Sequence, residues 1–122
     1  MGINSTEVSY AFGQLGSAYC DTNTEVKPPA GKVIVAIYFI QDNTPTALVA
    51  DNDSANGLEY VGTAEAAHDV ASVDDRGNGK SGSGGLTLSG AKFRGGSTIF
   101  GRWTSVTPQA DEDGGIICYF GE

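Results

Sequence analysis

The sequence has one histidine, one methionine, one tryptophan and two cysteines, and its seven basic residues stand against fifteen acidic ones. Each shortage excludes something. With a single His68 and no Cys-x-x-Cys pair there is no ligand set for structural zinc. Cys20 and Cys118 sit far apart in sequence, and spacing alone does not bring their Cα atoms within bridging distance. In a chain whose first residues show no basic segment followed by an apolar run, two buried free thiols are the better reading. The scattered Lys and Arg argue against nucleic acid, which is held by clustered cations that displace condensed counterions. No stretch approaches the ~20 apolar residues of a membrane span. The opening MGINST fits the short myristoylation pattern, one easily met by chance.

What the chain has is glycine, 18 in 122 residues, with Ser, Thr, Asn and Asp filling much of the rest. That composition favours turn-rich β structure, and the length suits one domain with one core. The expected fold is all-β: a small antiparallel β-sandwich or barrel-like domain over residues 31–122, preceded by an extended N-terminal arm, residues 1–30. The net charge of −8 reads as a solubility device or as a surface for a basic partner.

Along the chain, KVIVAIYFI (32–40) is continuously apolar and β-branched, as in a strand covered on both faces, and is expected at the sheet centre. ALVA (47–50) and LEYV (58–61) read as short strands separated by loop formers. TAEAAHDVAS is the one helical candidate. DDRGNGKSGSGG (74–85) is a flexible polar loop, and in GLTLSG Leu86 and Leu88 point the same way along a short strand.

STIFGRWTSV and GIICYF close the chain, and an acidic loop through Asp111, Glu112 and Asp113 joins them as an expected antiparallel hairpin. Alternation puts Ile99, Gly101, Trp103 and Ser105 on one face and Phe100, Arg102, Thr104 and Val106 on the other. Strands with two apolar faces belong inside a sheet or a subunit interface, because at a free edge they would invite aggregation.

Motifs for chemistry fail on inspection. Gly77–Gly82 spells the dinucleotide fingerprint, but a glycine-rich stretch and a strand pattern follow where a helix is required. The phosphate-loop reading fails because Asp74 occupies the first glycine position. A calcium loop starting at Asp51 and Asp53 would put Ala55, Asn56 and Gly62 at its fifth, sixth and twelfth positions, where a ligand, Gly and an acid belong. His68 lies between Glu65 and Asp69, a general-base arrangement without a marked nucleophile or oxyanion hole. The sequence therefore reads as non-enzymatic, with no catalytic residue, cofactor or metal assigned.

The ordered series FGQLGSAYCD, GKVIVAIYFIQD, LVADND, YVGTAEAAHD, a Gly/Ser linker, STIFGRWTSV and GGIICYFG resembles small virion structural proteins of marine tailed phages, including those of cyanobacteria. The pattern covers most of the chain, and it departs from that family in a longer N-terminal stretch and in the acidic loop. The resemblance implies a virion protein assembled in the host cytoplasm. It would be a head decoration or cement protein that contacts the major capsid protein and copies of itself, a trimer being favoured, with no nucleic acid or membrane partner. In that role the arm would add to a neighbour's sheet. Phe12, Leu15, Arg102, Trp103, Tyr119 and Phe120 would supply the interface, aromatic residues being common binding hot spots. Trp103 has the alternative of filling the monomer core. A second reading moves the protein to a tail or fibre tip, with Tyr38 or Tyr60 against a host glycan.

Overall fold

The structure, a computed structural model, describes residues 15–52, 60–64, 85–110 and 114–122. The protein is all-β. Five strands, β1 (Ser17–Cys20), β2 (Val33–Phe39), β3 (Ala47–Ala50), β4 (Thr98–Thr107) and β5 (Ile116–Gly121), form one antiparallel sheet in the order β1-β5-β2-β4-β3. The sheet is open and does not close into a barrel.

β2 is the central strand, as its unbroken apolar run predicts. The expected C-terminal hairpin is not formed: β4 and β5 lie on opposite sides of β2 and each pairs with it, not with the other. The physical premise behind the hairpin nevertheless holds. Both two-sided apolar strands are interior, and the edges fall to the four-residue strands β1 and β3, short edges being the ones least able to recruit another chain.

The described part of the arm belongs to this sheet. β1 pairs with β5 along its whole length, and Val26 exchanges two backbone hydrogen bonds with Val106 of β4, at 2.7 and 3.0 Å. Residues 85–88 and 60–61 form no strand, which corrects GLTLSG and, for its described half, LEYV. Leu86 is exposed while Leu88 packs against the core, so the two do not share a face. Thr63 explains why: its N–H donates to Leu48 O and its Oγ1 accepts from Leu48 N. A side chain and a single backbone contact thus cap the β3 edge where a further strand would have paired. The helical candidate beyond Ala64 and residues 74–84 of the polar loop lie outside the described residues.

Two bulges assemble the core. In β2 the register against β5 slips between Ile34 and Ala36, leaving Val35 as the extra residue, while on the other side of β2 two β4 residues, Gly101 and Arg102, stand against the single Val35. Ile34 and Ile37, three apart, consequently face the same way, opposite Phe120 and Cys118. In β4 the slip against β3 falls at Thr104, so Trp103 and Val106 share the inner face opposite Ala50 and Leu48. Strict alternation had separated those two residues, and a bulge inserts the one residue needed to bring them back together. Ile34, Ile37, Phe39, Leu48, Trp103, Val106, Ile116, Cys118 and Phe120 make the buried cluster. Val26, Leu88 and Phe93 pack over it, Phe93 stacked on Phe39 with ring centroids 4.8 Å apart.

Two details lock this packing. The Trp103 ring lies across Gly101, where a Cβ would sit 2.7 Å from it, so only glycine fits beneath the indole. Its Nε1–H donates to Val61 O at 2.9 Å, satisfying the one polar atom of the buried ring. Asn43, also buried, donates from Nδ2 to Gln109 O and accepts from Gln109 N, each at 3.0 Å, while its backbone exchanges two bonds with Phe93. One residue thereby ties three segments together, its side chain to Gln109 and its backbone to Phe93, with its hydrogen-bonding groups paired.

Candidate functional site

The outer face of the sheet collects the residues with the most binding potential, and the register defines them row by row. Tyr19, Ile117, Tyr38 and Thr98 form one row across β1, β5, β2 and β4, and Ser17, Tyr119, Ala36 and Phe100 form the next. These are the positions left over once the bulges have turned the aliphatic residues inward. Phe100 and Tyr19 are 65% and 57% exposed, and Tyr38, Tyr119 and Ile117 are half-buried. Ala36, small and set between Tyr119 and Phe100, is buried on this same face. Neither row contains a charged side chain.

Charge gathers elsewhere. Among the described residues five acids match five bases, so the whole excess of −8 comes from segments outside them. At the rim Arg102 donates from Nη2 to Asp51 Oδ2 at 3.2 Å and from Nη1 to the Glu122 carbonyl at 2.6 Å. Lys32 Nζ sits 2.8 Å from Glu122 Oε1, and that hydrogen bond and charge hold the Glu122 carboxyl below its ordinary value. On the opposite flank the Gly95 N–H donates to Asp42 at 2.7 Å, with Lys92 and Arg94 beside it, and these groups lower the Asp42 carboxyl as well.

Of the residues expected at an interface, Trp103 and Phe120 are 1% and 5% exposed inside their own chain. The alternative of a core Trp103 is therefore the observed one, and Phe120 joins it, because the register turns both toward the inner face. Leu15 packs against the same core. Tyr119 and Arg102 remain half-exposed, and Phe12 lies outside the described residues. Tyr38 sits on the outer face. Tyr60 is half-buried, its N–H donating to Asn52 Oδ1 at 2.6 Å. Sequence reading missed Tyr19, which lay within the presumed arm, and Phe100, which alternation had set on the face opposite Trp103 without assigning it a role.

His68, Glu65 and Asp69, the Gly77–Gly82 stretch and Asp111–Asp113 lie outside the described residues. Of the calcium candidates on the Asp51 loop, Asp51 is described, and its carboxylate is engaged by Arg102. The thiols of Cys20 and Cys118 are free. They lie on adjacent strands but diagonally, Cys20 opposite Ile116 and Cys118 opposite Ala18. Burial, with Cys20 close by, pushes the Cys118 thiol up to about 12, which keeps it protonated and chemically quiet. Cys20 Sγ lies 3.4 Å from Thr22 O, to which it donates.

Comparison of the chain with known protein families, with curated proteins and with solved structures returns no match.

Proposed function

We propose that the chain is a non-enzymatic structural subunit of a tailed-phage virion, a head decoration protein that binds the major capsid protein and its own copies, as a trimer, through the outer face of its sheet. One observation carries the reading. Two adjacent rows of that face present Tyr19, Tyr38, Tyr119, Phe100 and Ile117 without a charged residue among them, in a chain that otherwise carries a strong acidic excess. Charge-depleted, aromatic surface is the composition of interface cores, and aromatic side chains supply most binding hot spots. The sequence resemblance supports the same assignment. The part of the expected arm that forms β1 is committed to its own sheet, so Ser17–Cys20 do not add to a neighbour's.

The test is the copy number of this chain in purified virions relative to the major coat subunit, by quantitative mass spectrometry. A ratio near that of the coat supports decoration of the whole head, and absence from the particle overturns the assignment. A few copies per particle supports the second reading, a tail or fibre subunit that stacks a host sugar on Tyr38 and its aromatic neighbours. Loss of glycan-array binding in Tyr38→Ala would identify that site.

A further inference from the structure

We draw no further inference here: the strongest candidate, the uncharged aromatic patch on the outer face of the sheet around Tyr38, Phe100 and Tyr119, belongs to the site already described, and nothing in the structure shows what covers it.

Discussion

The inner and outer faces of the one sheet are built from the same five strands, and they have opposite fates. On the inner face Ile34, Ile37, Trp103, Val106 and Cys118 are excluded from water, while on the outer face Tyr19 and Phe100 keep more than half of their surface. Composition does not separate them, because both are apolar. The bulges do: by inserting Val35 and Thr104, they gather onto one side the aliphatic residues that alternation would have divided. One face thereby acquires enough interlocking apolar volume to form a core. The other is left with flat aromatic groups suited to contact with something else.

Breaking the inner face should have the largest effect. Trp103→Ala removes the largest buried side chain and strands Val61 O, and should cost about 3–5 kcal/mol in urea unfolding. Gly101→Val attacks the same site from below by forcing the indole off its seat, and a loss comparable to that of the Trp103 variant is expected. A neutral result for either would mean that the ring is not held as described. Asn43→Leu comes next. It leaves the Gln109 N–H and C=O without their buried partner, at about 1–3 kcal/mol.

The outer face should respond differently. Phe100→Ser, at a position 65% exposed, is expected to change stability by about 0.5 kcal/mol or less while reducing the aromatic surface offered to a partner. A loss as large as that of Trp103→Ala would erase the distinction between the faces.

Two titrations sharpen the contrast between the buried strand and the charged rim. The folded-state value of the Cys118 thiol lies above its ordinary value of 9.0. Its contribution to stability is therefore complete below pH 9 and lost as pH rises toward about 12, and Cys118→Val should flatten that alkaline decline. At neutral pH an aromatic disulfide reagent should modify Cys20 well before Cys118. Asp42 has the opposite sign, since its folded-state value lies below the ordinary 3.8. The small stabilisation it adds is present above pH 3.8 and disappears as pH falls through the lowered value. The parent and Asp42→Asn should therefore differ slightly near neutrality and converge in acid, the smallest effect of the series, as expected for solvent-exposed charges.

Much of this was legible in the residues. The unbroken run from Val33 to Phe39 announced a central strand, because no other position in a sheet shelters both of its sides. The apolar faces of Thr98–Thr107 and Ile116–Gly121 announced interior strands for the same reason. The candidate site was less legible. Tyr19 was hidden in a segment whose glycines suggested an arm, and Trp103 and Phe120 offered themselves as anchors although the structure uses them as core. Aromatic content marks a residue as valuable to bury without saying against what, and only the register distinguishes an inward Trp103 from an outward Phe100.

Glycine, β-branched and turn-forming residues determined by themselves that the chain is all-β with its apolar strands inside the sheet, since those preferences act over a few neighbouring residues. Tertiary structure alone decided that β4 and β5 flank β2 and do not pair with each other, and that bulges at Val35 and Thr104 override the two-residue period. Strand order and register are settled by contacts between residues far apart in the chain, where the gain from filling one core outweighs the local rule of alternation.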